Sequence, residues 1–128
     1  MGFKTILLVD DSEAEQFLYR SIIEVFDDSI EVVSAYDGQE ALDKLEEHEI
    51  DVVLLDINMP RLNGFQFLDK YQESFNNDHV IIAMVTSSSQ TADKEKAMTY
   101  NIVNKYFEKP LTTDHLTELH EISLKAKS

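Results

Sequence analysis

The stretch Asp51–Gly64, with the sequence DVVLLDINMPRLNG, decides the fold predicted for this chain. Four apolar residues, Val52–Leu55, run directly into a carboxylate, Asp56, and then into a loop that contains Pro60 and Gly64. A short apolar run that ends at chain-breaking residues is typical of a strand buried on both faces of a parallel sheet. Asp56 would then stand at the carboxyl edge of that sheet, where open α/β sheets bind ligands. A lone aspartate at such a place is more often a turn former or a helix cap.

Composition limits the possible functions. With 128 residues and no cysteine, the chain is predicted to form one domain whose core needs no disulfide. The longest wholly apolar run, Val80–Val85, is too short for membrane insertion. A formal charge of −14 disfavours direct binding to nucleic acid and favours cations or partners with basic faces. The lack of cysteine and of a signal-peptide layout suits a cytoplasmic location.

Strand and helix patterns alternate along the chain. The predicted strands are Lys4–Val9, Glu31–Ala35, Val52–Leu55, Val80–Val85 and Val103–Glu108. The helices between and after them are predicted to begin near Ser12, Asp37, Gly64, Gln90 and Thr112 or Thr113. The second strand alternates polar and apolar residues, as an edge strand would. Alternating strand–helix units predict an α/β fold with a mainly parallel sheet and helices on both faces, a three-layer sandwich.

Helical periodicity predicts which side chains face the core. Ser12 and Glu15, three residues apart, predict a capping box at the start of the first helix. The predicted inward face of this helix is Ala14, Leu18, Ile22 and Val25. For the later helices the predicted inward residues are Ala41, Leu42 and Leu45; Phe67, Leu68, Tyr71 and Phe75; Ala92, Ala97 and Tyr100; and Leu116, Leu119 and Ile122.

Polar side chains stand where four of the predicted strands end, namely Asp10, Asp11, Asp56, Thr86 and Lys109. Each has a plain structural explanation alone, as a helix cap, a turn hydroxyl or a solvated charge. Because parallel strands end at one edge of a sheet, these side chains are instead predicted to meet. Like charges about 4 Å apart repel by roughly 1–4 kcal/mol, and one lysine is the nearby countercharge. A chain that keeps such a cluster is predicted to bind a hard cation there.

The donor set predicts which cation would bind. Carboxylate oxygens without histidine or cysteine favour Mg²⁺, Mn²⁺ or Ca²⁺. Mg²⁺ fits best, because two or three carboxylates leave room for water and phosphate oxygens, and no twelve-residue calcium loop is present. The histidines show no paired ligand spacing and are interpreted as surface residues: His48, His79, His115 and His120.

Four motifs resemble the receiver domain of two-component response regulators. They are VDDSE at 9–13, LLDINMPRLNG at 54–64, VTSSS at 85–89 and KYFEKP at 105–110. The resemblance covers essentially the whole chain and implies one receiver domain over residues 1–128, with a flavodoxin-like five-stranded sheet of strand order 2-1-3-4-5. The chain has Asn101-Ile102 where the family usually has glycine-alanine, a change that concerns a turn rather than the site.

The resemblance also implies roles for the acidic residues. Asp56 would be the phosphoacceptor. Asp11 and Asp56 would bind Mg²⁺ directly, together with the backbone carbonyl of Asn58, and Asp10 would act through water. The donor of the phosphoryl group would be a histidine kinase or a histidine phosphotransfer protein.

Output residues follow from the same resemblance. Thr86 and Lys109 would each contact a phosphoryl oxygen, and the peptide bond after Lys109 would be cis as in the family. Thr86 and Tyr106 would form the switch. An unknown downstream protein would dock on the fourth helix, fifth strand and fifth helix, near Lys94, Lys105 and Tyr106.

Three functions remain open on the sequence. The first is a stand-alone receiver, a signalling switch that catalyses only its own phosphorylation and dephosphorylation. The second is a Mg²⁺-dependent phosphohydrolase of the haloacid dehalogenase kind with an aspartate nucleophile. That class uses Asp-x-Asp after its first strand, whereas Asp10-Asp11-Ser12 places the two acids side by side, and no cap domain is present. The third, an unphosphorylated receiver-like scaffold, is disfavoured because every active-site position is filled.

Overall fold

Strand and helix alternate through the computed structural model, which describes residues 3–75, 79–87 and 90–126. In chain order these elements are β1 Thr5–Val9, α1 Glu13–Phe26, β2 Glu31–Ala35, α2 Gly38–Glu47, β3 Val52–Leu55, α3 Gly64–Ser74, β4 Ile81–Thr86, α4 Thr91–Met98, β5 Val103–Glu108 and α5 Thr113–Ala126. The strands pair in parallel in the order β2-β1-β3-β4-β5. The predicted α/β fold and the strand order 2-1-3-4-5 are confirmed. Ser88 and Ser89, from the VTSSS motif, lie outside the described residues.

The sheet separates two hydrophobic layers. One layer joins alternate sheet residues to α2, α3 and α4, with Leu7, Val53, Ile82, Ala41, Phe67, Leu68 and Ala97 among its buried members. The other joins the opposite sheet face to α1 and α5, with Ile6, Leu54, Ala83, Tyr19, Ile23, Leu116 and Leu119 among its buried members. Because both faces are covered, all residues of β3 are apolar and buried. None of the helices in the described residues has the length and apolar character that a bilayer span requires.

The predicted inward face of α1 is wrong. Leu18 is 46% exposed and Val25 is 81% exposed, while the buried residues of this helix are Gln16, Tyr19 and Ile23. The Gln16 amide donates to backbone carbonyls at the sheet edge, at 3.0 Å from the oxygens of Leu8, Asp10 and Ala35. Hydrogen bonds from this buried amide to the ends of β1 and β2 therefore help to set the rotation of the helix. Of the other two residues predicted to face inward, Ala14 is exposed and Ile22 is partly buried.

The inward faces of α2, α3 and α5 are confirmed, because their predicted residues are buried or pack against the two core layers. In α4, Ala97 is buried and Tyr100 packs just beyond the helix end, but Ala92 is exposed. Ala92 and Ala97 are five positions apart and are therefore rotated by about 140° around the helix axis, so the two cannot share one inward face. The interpretation of the histidines as surface residues is confirmed for His48 and His79, which are exposed. It is wrong for His115 and His120, which are partly buried against aromatic rings.

Candidate functional site

The polar residues predicted at the strand ends meet at the carboxyl edge of the sheet. Carboxylate oxygens of Asp10, Asp11 and Asp56 all lie within 4.8 Å of one another. The Lys109 Nζ atom lies 2.9 Å from Asp56 Oδ2 and 3.1 Å from Asp10 Oδ2. Thr86, the fully buried last residue of β4, accepts the Lys109 backbone N–H at 2.9 Å through its carbonyl. The expected convergence of three acids and one lysine is therefore present.

The two buried aspartates are held differently from Asp11. Asp10 and Asp56 are 1% and 6% exposed, whereas Asp11 is open to solvent. One Asp10 oxygen accepts the Ser12 N–H at 2.9 Å, and one Asp56 oxygen accepts the Ile57 N–H at 2.8 Å. Burial raises the pKa of Asp10 to about 6, although the Ser12 N–H and the Lys109 ammonium favour its charged form. A buried carboxylate with a raised pKa is poorly stabilised in its ionised form.

The donor chemistry of this cluster fits a hard divalent cation. The second oxygen of Asp10 makes no hydrogen bond within the described residues, and its closest cationic neighbour is the Lys109 ammonium at 3.1 Å. Buried polar atoms without hydrogen bonds are rare in folded proteins and often mark the position of an ion or a water. Asn58, the remaining predicted ligand, lies in the loop two residues after Asp56, with an exposed side chain. The role of its backbone carbonyl stays a prediction.

Lys109 has a third carboxylate partner that the sequence interpretation missed. Its Nζ atom lies 2.6 Å from Glu15 Oε2, the shortest of its three carboxylate distances. Burial by itself would lower the pKa of Lys109, but Glu15, Asp56 and Asp10 outweigh burial and raise it. The predicted capping box is therefore only half correct: Ser12 Oγ accepts the Glu15 backbone N–H, but the Glu15 side chain turns to Lys109 instead of to the cap. The only available sequence signal was that α1 starts at the same sheet edge.

The loop that follows Asp56 is bound to the start of α2 by an ion pair and a backbone hydrogen bond. The Arg61 guanidinium forms an ion pair with Asp37, and the Gly38 N–H donates to the Leu62 carbonyl at 2.8 Å. Arg61 has a left-handed backbone with φ of 62°, a conformation that non-glycine residues seldom adopt without support. At Gly64 a Cβ atom would lie 2.5 Å from the Asp56 carbonyl oxygen, so a side chain there would displace the loop. These contacts place the residues around Asp56, and sequence reasoning identified none of them.

The predicted output face contains one partly buried aromatic residue and a weakly packed helix. Tyr106 pairs with Met84 across β5 and β4 and packs against the core layer on the α4 side. Lys105 forms a 3.1 Å ion pair with Glu118 of α5, and both side chains are partly exposed. In α4 only Ala97 is buried, compared with three residues in α1.

Aromatic contacts that the sequence did not predict join α3 to the end of α4. The Phe65 and Tyr100 rings stack at 6.3 Å, and the Lys96 ammonium lies 4.5 Å from the centre of the Phe65 ring. The Tyr100 hydroxyl donates to Asp69 at 2.8 Å. Phe65 immediately follows Gly64, so these contacts connect the loop after Asp56 with the fourth helix.

Comparisons with known proteins agree with the fold and identify the family. A family model described as the response regulator receiver domain matches residues 6–121. A two-component response regulator from Cytophaga hutchinsonii has a solved structure that is 30% identical, with a TM-score of 0.91 over 98% of this chain and 99% of that one. The polar-differentiation response regulator DivK of Brucella anthropi is 27% identical over 90% of this chain and 91% of its own length. The sensor protein EvgS of Escherichia coli is 30% identical over 93% of this chain, which spans only 10% of EvgS.

Proposed function

Because the chain belongs to the response regulator receiver domain family, we propose that it is a phosphorylation switch whose phosphoacceptor is Asp56. Receiver domains are signalling switches of two-component systems and are generally not enzymes acting on other substrates. The observation that carries the assignment is the position of Asp56, buried at the strand edge with one oxygen 2.9 Å from the Lys109 ammonium. Residues 1–128 would form one receiver domain.

Asp56 has the chemistry that phosphoryl acceptance requires. In the transfer, an Asp56 carboxylate oxygen attacks phosphorus, and the bond from phosphorus to the donor nitrogen or oxygen breaks. The leaving group keeps the electron pair of that bond. The ionised carboxylate is already a nucleophile, so no general base has to remove a proton from it. The main obstacle is the repulsion between two anionic groups, and the Lys109 ammonium beside Asp56 offsets it as a point charge.

The acidic cluster is the proposed Mg²⁺ site. Asp11 and Asp56 would hold the ion with the Asn58 backbone carbonyl, and Asp10 would hold it through water. The bound ion supplies positive charge next to the incoming phosphoryl group. The support is the oxygen-only cluster and the Asp10 oxygen that lacks a hydrogen bond within the described residues.

We propose that the phosphoryl donor is a histidine kinase or a histidine phosphotransfer protein and that output passes through Thr86 and Tyr106. The Thr86 hydroxyl would turn to a phosphoryl oxygen, and Tyr106 would move into the space that this turn vacates. A downstream protein would bind the face formed by α4, β5 and α5, near Lys94 and Lys105. The single buried residue of α4 supports this choice, because elements with few buried contacts shift at low cost.

The acceptor is tested by incubating the protein with acetyl phosphate and Mg²⁺ and measuring its intact mass. One acid-stable, base-labile phosphoryl group is expected on wild type and none on Asp56→Asn, since a neutral amide is not a competent nucleophile. Unchanged labelling of Asp56→Asn would contradict the assignment. Steady release of phosphate from unrelated phosphomonoesters would favour the phosphohydrolase, and a wild type that takes up no phosphoryl group would favour the scaffold.

The output route is tested by amide chemical shifts with and without beryllofluoride. In wild type the changes should extend from the site to α4, β5 and α5, and Thr86→Ala should confine them to the site. A partner that prefers the phosphorylated form must strengthen beryllofluoride binding by the same factor, because coupling between sites is reciprocal. Equal propagation in Thr86→Ala would contradict the route.

A further inference from the structure

Glu15 binds the ammonium that the phosphoryl group would need. Lysine carries three N–H donors, and Lys109 faces three carboxylates: Glu15 at 2.6 Å, Asp56 at 2.9 Å and Asp10 at 3.1 Å. Lys109 itself is only 13% exposed, so few water molecules reach it. Within the described residues, the Lys109 ammonium donates hydrogen bonds to Glu15 and Asp56, whereas Asp10 is an ion-pair partner without a hydrogen bond. A phosphoryl oxygen on Asp56 would therefore have to share Lys109 with Glu15, the carboxylate that lies nearest to it.

The three carboxylates differ in how easily they would yield. Asp10 and Asp56 are nearly inaccessible and belong to the cluster whose oxygens fit a cation, whereas Glu15 lies outside that cluster. Because Glu15 is not among the proposed cation ligands, a cation held by the aspartates would not occupy its carboxylate. The Glu15 side chain is 32% exposed and reaches Lys109 from the first turn of α1. It is the carboxylate that would remain in competition for Lys109 once the aspartates are engaged.

We propose that Glu15 is a positioning residue that competes with the phosphoryl group on Asp56 for Lys109, and thereby slows phosphorylation and lowers the occupancy of the phosphorylated state. This inference rests on the proposed function of Asp56. Glu15 acts in two ways: it holds the Lys109 ammonium at 2.6 Å, and its own negative charge repels an incoming phosphoryl group.

The test compares Glu15→Gln with Glu13→Gln. Both variants remove one carboxylate from the first turn of α1, but the exposed Glu13 lies outside the set of Lys109 partners. The helix cap survives in both, because Ser12 bonds the backbone N–H of Glu15 and not its side chain. With Mg²⁺ present, the initial rate of phosphorylation by acetyl phosphate and the apparent affinity for beryllofluoride are measured on each protein.

We expect Glu15→Gln to raise both quantities by about threefold to tenfold, and Glu13→Gln to change them by less than about twofold, since exposed charges interact weakly through water. Glu15→Asp separates the loss of the contact with Lys109 from the loss of the negative charge, because it keeps the charge but shortens the side chain. Its phosphorylation rate and beryllofluoride affinity should lie between those of wild type and Glu15→Gln. A side chain that only supported the helix would give slower, not faster, phosphorylation when changed.

Two results would overturn the inference. If Glu15→Gln matches Glu13→Gln or is slower than wild type while wild type is phosphorylated on Asp56, the competition is refuted and the proposed function stands. If wild type binds neither the phosphoryl group nor beryllofluoride, the proposed function fails and the inference fails with it. Unfolding midpoints measured without Mg²⁺ identify any variant that fails to fold. If Glu15→Gln does not fold, the comparison of Glu15→Asp with wild type decides the outcome.

Discussion

Replacing Lys109 with methionine should destabilise the metal-free protein and make it more dependent on Mg²⁺. Methionine keeps much of the length and apolar surface of the lysine stem but removes the ammonium. Asp10 and Asp56 would then remain buried beside Glu15 with their shared countercharge gone.

The expected loss is about 3 kcal/mol at pH 7. Two unit charges about 3 Å apart attract by roughly 5 kcal/mol at an effective dielectric of 20, but the cost of burying the charges offsets much of this. Removing one partner of a buried ion pair typically costs about 3–5 kcal/mol, and the lower end applies because Glu15 and Asp11 reach solvent. The loss should shrink at lower pH: the raised pKa of Asp10 means that the folded state takes up a proton before the unfolded chain does, so acidification relieves the unpaired charge.

The assay is urea unfolding of wild type, Lys109→Met and Lys105→Met, each with EDTA and with Mg²⁺. Lys105→Met is the matched control, because it breaks a partly exposed ion pair on β5, the strand that Lys109 follows, and should change the free energy of unfolding by less than about 0.5 kcal/mol. Mg²⁺ should stabilise Lys109→Met more than wild type, since the ion then replaces the missing cation. If Lys109→Met loses no more stability than Lys105→Met in EDTA, Lys109 does not neutralise the buried aspartates.

Three further outcomes are expected. Asp11→Ala should remove most of the Mg²⁺-induced rise in the unfolding midpoint yet leave the metal-free protein as stable as wild type or more stable, because Asp11 is exposed among other acids; strong destabilisation in EDTA would contradict this. Ile23→Ala should cost about 2–4 kcal/mol and Val25→Ala less than about 0.5 kcal/mol, as unfolding in urea would show, because only Ile23 is buried. Burial lowers the pKa of His115, so the unfolded chain binds more protons just below pH 6.5 and stability should fall as the pH drops through that value. His115→Gln should flatten this part of the pH profile, and an unchanged profile would show that another group is responsible.

Much of the fold could be predicted because its signals are local. The apolar run of β3 ends directly at Asp56, and Asp10, Asp11, Thr86 and Lys109 follow or end other strands of the same kind. Parallel pairing places such strand ends at the same edge of the sheet, independently of the loop conformations. The meeting of the acidic cluster and its lysine at one edge therefore followed from the strand boundaries together with parallel pairing.

The contacts that set the details of the site could not be predicted in this way. Gln16 is polar and was not part of the predicted inward face of α1, yet its amide bonds three backbone carbonyls and helps to set the rotation of the helix. Arg61 adopts a left-handed backbone beside Asp37, a pairing between two loops that no local pattern marks.

The amino-acid sequence by itself determined the succession of strands and helices along the chain, the layers of the fold and the residues that gather at its carboxyl edge. These features depend on apolar periodicity and on chain-breaking residues, and both are local in sequence. Only the tertiary structure decided which carboxylate is nearest to Lys109. Glu15 lies 94 positions away in sequence and forms the shortest of its ion pairs. That pairing depends on how α1 is rotated against the sheet, and hydrogen bonds from a buried glutamine help to set this rotation.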